Sequence, residues 1–475
     1  MKKKLLSDIS ASSLQVMINQ LCGLLIFYIL STRLSKEIFG ELNWTLAVLL
    51  TAFSILSFGI DQVMVKKIAA SEDNHATLGA FSMHVIITGL LLYLLLFAGW
   101  WLVPSFFDTH NFLLLLAFGK VLLFFSSPFK QLANGLEQFR PLLFMSTVSN
   151  IVRAVSLLVL LFIGEISTMP VLLIFVAGDI AEFIVCIWIT KHHLKMPIFQ
   201  QWNTASYKSL LKESLPQTGV VLFTAALSRF DWIFLGLFSS TVILANYSFA
   251  YKVFEVSLVP LLVIAPVLIP RFTKISRQPG DFKEKKPVLQ VLLRYEIIIA
   301  CLVALVLQVI WVPAVDFITD GKYGAVNKQT ILLLASAMPF LYFNNFLWSI
   351  CFTKGDLKAV FRIFLACFIV NIAGILISVP FYNAEGAAAS YLASIILQSV
   401  LFERYHRRAY RLSYHTGHCL LIVTCAFIAG FTSHVFLTGM LPQLAAAMAV
   451  FIALLFLSGS ISKKDGHLLK QVWYI

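Results

Sequence analysis

Charge is scarce in this chain. Only 12% of its 475 residues are Asp, Glu, Lys or Arg, while 59% are hydrophobic. A water-soluble protein of this length cannot cover so apolar a sequence with polar surface. The common signatures of nucleotide and catalytic sites are missing too. There is no GxxxxGK[ST] phosphate cradle, no GxGxxG turn, no HExxH helix and no GxSxG elbow. No Cys pair is spaced as CxxC, and no His/Cys spacing suits a metal, so neither metal nor cofactor is expected. Cys22, Cys186, Cys301, Cys351, Cys367, Cys419 and Cys425 read instead as small hydrophobes in apolar runs. His192-His193 falls in a basic connection and reads as solvated. Long outer connections are lacking as well. The longest, near 313–328, leaves little room for an enzyme working on the outer face.

What is present is a series of long apolar runs. One bilayer crossing needs about 20 such residues. Runs near 14–31, 43–65, 81–103, 112–134, 141–163, 168–190 and 215–238 fit that length, as do 243–270, 291–312, 329–351, 360–380, 386–403, 415–437 and 440–459. They predict an all-α polytopic membrane protein with about fourteen spans. The N-terminus, Lys2 to Lys4 before an apolar run, looks superficially like a signal peptide. No small-residue cleavage site follows Leu14–Ser31, so an uncleaved first helix is expected. Pro104, Pro170, Pro216, Pro313 and Pro442 fall at predicted span ends, where a missing N–H costs least. Pro260 and Pro266 lie inside the eighth span and predict a kink or break there.

The formal net charge is +13. On a soluble protein that balance would raise nucleic acid as a partner. Here the basic residues lie between the apolar runs and read as orientation signals and contacts to membrane lipid, with no nucleic acid. Alternate connections carry them. One side holds the clusters Lys2–Lys4, Lys66-Lys67, Lys191–Lys212, Arg271–Arg294, Lys354–Arg362, Arg404–Arg411 and Lys463–Lys470, together with Lys130 and Arg140. The other side holds only Arg33, Lys36, Lys322 and Lys328. This alternation predicts an even number of spans with both termini cytoplasmic.

A weak repeat divides the chain. Ser13-Leu14-Gln15 and Ser214-Leu215-Pro216-Gln217 open the first and seventh spans, and Asn43-Trp44 and Asn246-Tyr247 follow them. Gly135 with Asn150 and Gly355 with Asn371 match in the same order. Two copies of a six-helix unit follow, at 1–205 and 206–411, with an extra helix pair and tail at 412–475. Six crossings is even, so the two lobes are expected to be parallel.

Charged residues inside spans are costly and usually face a cavity or a partner. They are Lys120, Arg153, Asp179, Glu182, Arg229, Asp231, Lys252 and Glu255. Ser146, Ser149, Asn150, Arg153 and Ser156 recur at three- and four-residue steps. Thr224, Ser228 and Asp231 form a second stripe; Ser248, Lys252 and Glu255 a third; Asp179 and Glu182 share a face. Two readings stand. One is a water-accessible cavity in which Arg153, Arg229, Lys252 and Lys120 bind an anionic headgroup, while Asp179, Glu182, Asp231 and Glu255 serve ion coupling. The other is internal pairing, Lys252 with Glu255 and Arg153 with Asp179 or Glu182.

Three stretches then bear a family resemblance. The first is Leu34-Ser-Lys-Glu-Ile-Phe-Gly40-Glu with Phe58-Gly59-Ile60-Asp61 and Lys66-Lys67-Ile68-Ala69. The second is Ser228-Arg229-Phe230-Asp231-Trp232 with Leu235-Gly236, Ala245-Asn246-Tyr247 and Ala250-Tyr251-Lys252-Val253. The third runs from Lys354-Gly355-Asp356 through Asn371 to Glu385-Gly386-Ala387-Ala388-Ala389. Together they resemble the O-antigen or capsule polysaccharide flippases of the multidrug/oligosaccharidyl-lipid/polysaccharide exporter superfamily. The resemblance implies two six-helix lobes around a cleft, and alternating access driven by an ion gradient. It also implies a lipid-linked (undecaprenyl-diphosphate) oligosaccharide moved from the cytoplasmic to the periplasmic leaflet of the cell inner membrane. A polysaccharide polymerase and other assembly proteins are the implied partners. Asp231 and Lys252 stand where family members often place polar residues, whereas Arg153, Asp179 and Glu182 match no family motif. A multidrug or small-cation antiporter of the same superfamily is the alternative. A membrane-bound glycan polymerase or transferase is disfavoured by the short outer loops.

Overall fold

The computed structural model describes residues 2–70, 73–164, 166–197, 203–261, 264, 268, 272–273, 275, 281–412, 416–461 and 465. These residues are almost wholly helical, with no strand among them. In chain order the first helices are α1 (Lys2–Arg33), α2 (Lys36–Leu56), α3 (Ile60–Ala69), α4 (Asn74–Leu102), α5 (Pro104–Thr109), α6 (Leu113–Phe125) and α7 (Ser127–Gly135). Then come α8 (Phe139–Ile163), α9 (Thr168–His192), α10 (Thr204–Phe238), α11 (Thr241–Ser257) and a single turn, α12 (Asp281–Glu284). The last are α13 (Lys286–Ile318), α14 (Lys328–Lys354), α15 (Leu357–Ala409), α16 (Thr416–Phe436) and α17 (Met440–Leu457).

Twelve helical segments among the described residues are long and apolar enough to cross a membrane. One of them is α15, 53 residues long. Straight, it would reach about 80 Å, far more than the ~30 Å apolar thickness of a bilayer. It is not straight: Asn383 stands at φ 48° and ψ −125°, which breaks the helix between the predicted spans 360–380 and 386–403. Helix α10 contains the predicted span 215–238 and is not among the twelve.

Local chemistry explains most boundaries. Ser35 caps α2, its hydroxyl accepting the Ile38 N–H at 3.4 Å, with Glu37 in the first turn favouring the positive helix end. The predicted span 43–65 is displaced in the structure. Helix α2 covers Lys36–Leu56 and stops where Phe58 and Gly59 adopt left-handed φ values of 53° and 70°. Pro104 opens α5, and Pro170 and Pro442 sit in first turns, as expected. Pro313 and Pro216 depart from expectation. They lie inside α13 and α10, which continue past them; neighbouring helices make such prolines tolerable in membrane segments. Helix α11 ends at Ser257, and the Leu258 N–H bonds back to the Glu255 carbonyl at 3.2 Å in a turn just before Pro260. Pro266 lies outside the described residues.

The chain forms two compact units. The first comprises Met1–Gly236 and Ser240–Ala245, the second Leu237–Ser239 and Asn246–Ile475. In the first unit α8 packs against α9 and α1, and α6 against α9. In the second, α14 packs against α15 and α13, and α16 and α17 pack on α13. The second unit's core is aromatic and aliphatic, with Phe272, Phe282, Phe346 and Phe402 buried together.

Candidate functional site

Four helices of the first unit carry a cluster of charge. Lys120 stands on α6, Lys130 on α7, Ser149, Asn150 and Arg153 on α8, and Asp179 and Glu182 on α9. Asp179 is fully buried. The Lys120 ammonium donates to its two carboxylate oxygens at 2.8 and 3.0 Å. The Arg153 guanidinium donates to Oδ1 of the same carboxylate. Gly119 makes the approach possible, since a Cβ there would lie 2.8 Å from Asp179 Oδ2.

One turn along α9, Glu182 repeats the arrangement. Lys130 Nζ donates to its Oε1 at 2.7 Å, and the Ser149 hydroxyl donates to Oε2. Arg153 also lies over the Phe175 ring, 5.0 Å from its centroid, and donates to Asn150 Oδ1 at 3.4 Å. Asn150 in turn donates to Asn19 Oδ1 at 2.9 Å. Three cations thus meet two carboxylates, and Arg153 Nε has no acceptor among the described residues. Buried charges of this kind persist only when paired and hydrogen-bonded. Three members of the α8 stripe are therefore spent on its neighbours: Ser149 and Arg153 on α9, Asn150 on α1.

The other candidates lie on α10 and α11. The Arg229 guanidinium lies over the Trp232 ring at 4.5 Å. Asp231 is buried, and its Oδ1 accepts the Trp232 backbone N–H at 2.9 Å. The side chains of Thr224 and Ser228 lie outside the described residues. Lys252 and Glu255 pair across one turn at 2.7 Å, and their side chains remain 22% and 43% exposed. Ser248, on the same stripe, is fully buried.

Both internal pairs read from the sequence are present, Arg153–Asp179 and Lys252–Glu255. Two others were not legible. Lys130 reads in sequence as a cation of a basic connection, yet its side chain reaches into the unit to Glu182. Lys120 meets Asp179 because α6 packs on α9, a long-range adjacency that no local pattern encodes.

Sequence reasoning also misses two groups. Glu41 accepts from His110 Nδ1 at 3.0 Å and from Thr45 at 3.2 Å, both carboxyl and imidazole being buried, and Trp44 stacks on the imidazole at 3.7 Å. In the second unit Glu296 is buried with no partner for either carboxyl oxygen among the described residues. A signal for it existed: it is the one acid in the predicted span 291–312.

The described chain is an all-helical, multi-pass membrane protein with paired charges inside its helices. A family model described as Polysaccharide biosynthesis protein matches residues 5–276, more than half of the chain, and the chain belongs to that family. Solved structures share the fold. A lipid II flippase MurJ in an inward closed conformation aligns with TM-score 0.75 at 15% identity, over 95% of this chain and 98% of that one. An inward-facing multidrug resistance MATE family transporter of the MOP superfamily aligns with TM-score 0.66 at 11% identity, over 84% and 97%. A MOP superfamily transporter from Pyrococcus furiosus aligns with TM-score 0.58 at 11% identity, over 84% and 93%. No curated protein matches the chain. The fold is thus one that a lipid II flippase and multidrug transporters share.

Proposed function

We propose that this protein is a flippase that carries a lipid-linked oligosaccharide across the cell inner membrane, from the cytoplasmic to the periplasmic leaflet, for surface polysaccharide assembly. On this reading it crosses the membrane fourteen times with both termini cytoplasmic. The halves of α15 on either side of Asn383 count as two crossings, and α10 as another. Family membership and the whole-chain likeness to a lipid II flippase support it.

The observation that carries the reading is that Arg229 in the first unit and Lys252 in the second are each partly accessible. They are the groups suited to an anionic diphosphate, which arginine binds through its planar fork and lysine as a point charge. Lys120 and Arg153, tied to Asp179, serve as the interior counter-charge of the same apparatus. Glu182, Asp231 and Glu255 stand with Asp179 as the carboxylates through which an ion gradient acts. The membrane's own lipids and a polysaccharide polymerase are its partners. The chemistry needed is movement, not bond cleavage.

The test is glycan export in cells carrying Arg229→Ala or Lys252→Ala at normal protein level. Each removes a charge-assisted contact, so export falls by about tenfold or more. Normal surface glycan in both variants overturns the cationic reading. Efflux of small cationic dyes together with unaltered glycan would favour the multidrug transporters that share the fold.

A further inference from the structure

One face of α15 changes character along its length. Ile396, Ser399, Val400, Glu403, Arg404 and Arg407 follow one another at three- and four-residue steps, from apolar to charged. This face forms one wall of a cavity of about 510 Å³ inside the second unit. Phe340 and Phe343 of α14 and Leu420 and Val423 of α16 form the facing walls. The volume falls within the roughly 300–1,000 Å³ of small-molecule sites. Val400 and Leu420 are 50% and 55% exposed, so the apolar part opens at the helix surface that faces lipid in a membrane protein.

The charged end is chemically unfinished. Arg407 Nε donates to Glu403 Oε1 at 2.6 Å. Glu403 is buried at 7% exposure, and its second oxygen, Oε2, has no donor among the described residues. A buried carboxylate oxygen costs stability until a donor reaches it. Arg404 is exposed beside it, with neither a hydrogen bond nor an ion pair among the described residues. Two arginines against one carboxylate leave one positive charge at the mouth of an apolar cavity. Such a site matches an amphiphile with a single negative charge and a hydrogen-bond donor next to it.

We propose that this cavity binds a membrane phospholipid with an anionic, hydroxyl-bearing headgroup. One acyl chain lies along Val400 and the phenylalanines. The phosphate meets Arg404 and Arg407, and a headgroup hydroxyl donates to Glu403 Oε2. A choline headgroup has no donor for Oε2. An ethanolamine headgroup has a donor but cancels its own phosphate, leaving the site's charge unanswered. The proposal is independent of what the protein transports, because none of its residues belongs to the charged cluster of the first unit or is Arg229 or Lys252.

The full chain, purified in detergent with equal amounts of phosphatidylglycerol, phosphatidylethanolamine and phosphatidylcholine, is read by native mass spectrometry for retained lipid. Phosphatidylglycerol is expected to be enriched over both others. Arg404→Gln removes one charge-assisted contact and lowers that enrichment about tenfold. Val400→Trp fills the chain's path and lowers retention of every lipid. Arg404 is exposed, so its variant folds; circular dichroism and gel filtration check both. Equal retention of the three lipids by the wild-type chain overturns the proposal, as does enrichment indifferent to both variants. A competing polyprenyl phosphate that displaces phosphatidylglycerol at equal concentration also overturns it, since the cavity then belongs to a substrate's tail.

Discussion

Lys120 donates to both carboxylate oxygens of Asp179, at 2.8 and 3.0 Å, inside a part of the first unit where neither side chain reaches solvent. Arg153 shares the same carboxylate. One anion therefore holds two cations, and the three residues are not equivalent. Removing Lys120 leaves Asp179 paired with Arg153. Removing the Asp179 charge strands both cations.

Asp179→Asn should accordingly be the costlier change. Breaking a buried pair by deleting one partner costs about 3–5 kcal/mol. Lys120→Met should cost less, and Lys120→Met with Asp179→Asn less than the sum of the two. Thermal unfolding of the purified protein in detergent reads all three. An Asp179→Asn protein as stable as wild type would show that the cluster contributes nothing to the unit.

The Lys67–Glu213 pair predicts a pH dependence. Lys67 Nζ lies 2.7 Å from Glu213, whose side chain is 41% exposed, and that hydrogen bond holds the carboxyl below its ordinary value. A carboxyl depressed in the fold stabilises it fully above the unfolded-state value, and the contribution is lost as pH falls through the folded one. The melting difference between wild type and Glu213→Gln should thus be small, present at neutral pH and absent in acid. Salt should shrink it too, because the pair is partly solvated. A difference constant across pH would place its origin elsewhere.

How much of this was legible in sequence varies with the range of the interaction. Apolar runs and alternating basic clusters carry the membrane helices, because both are local quantities. Local pattern also anticipated Lys252–Glu255, one turn apart on α11. It anticipated Arg153–Asp179 less directly, by placing α8 beside α9. It could not reach Lys130–Glu182 or Glu41–His110, whose partners lie 52 and 69 residues apart and meet only through helix packing. Boundaries failed where backbone conformation, not hydrophobicity, ends a helix. At Phe58-Gly59 apolar residues continue past a left-handed break. Pro313 departs from expectation for the opposite reason: a proline that would end an isolated helix sits inside α13.

Asn383 gives a backbone test. Its φ of 48° with ψ −125° resembles the first central position of a type II′ turn, where glycine is preferred. Asn383→Gly should be neutral or slightly stabilising, although it loses the exposed bond from the Ser239 hydroxyl at 2.8 Å. Asn383→Val should cost about 1–2 kcal/mol, since a β-branched residue disfavours positive φ. Equal melting temperatures for the two variants would mean that the break in α15 is not set at this residue.

Gly236 and Trp44 give a packing test. A Cβ at Gly236 would lie 1.9 Å from Trp44 Cδ1, well inside contact distance. The ring has little freedom to retreat. Its Nε1 donates to the Ile233 carbonyl at 3.2 Å, and its other side stacks on His110, which Glu41 holds. Gly236→Ala should therefore act as overpacking and cost about 1–3 kcal/mol. Trp44→Leu alone should also destabilise, by emptying volume and losing the indole bond. Combined, the two should cost less than their sum, because the leucine removes the atoms that the new methyl would strike. Contacting residues show such coupling at about 0.5–3 kcal/mol, whereas independent sites add. Strict additivity in thermal unfolding would mean that α2 and α10 do not meet at these residues in the folded protein. Sub-additivity would tie Leu235-Gly236, in a stretch that bears the family resemblance, to Asn43-Trp44 of the internal repeat: each makes room for the other.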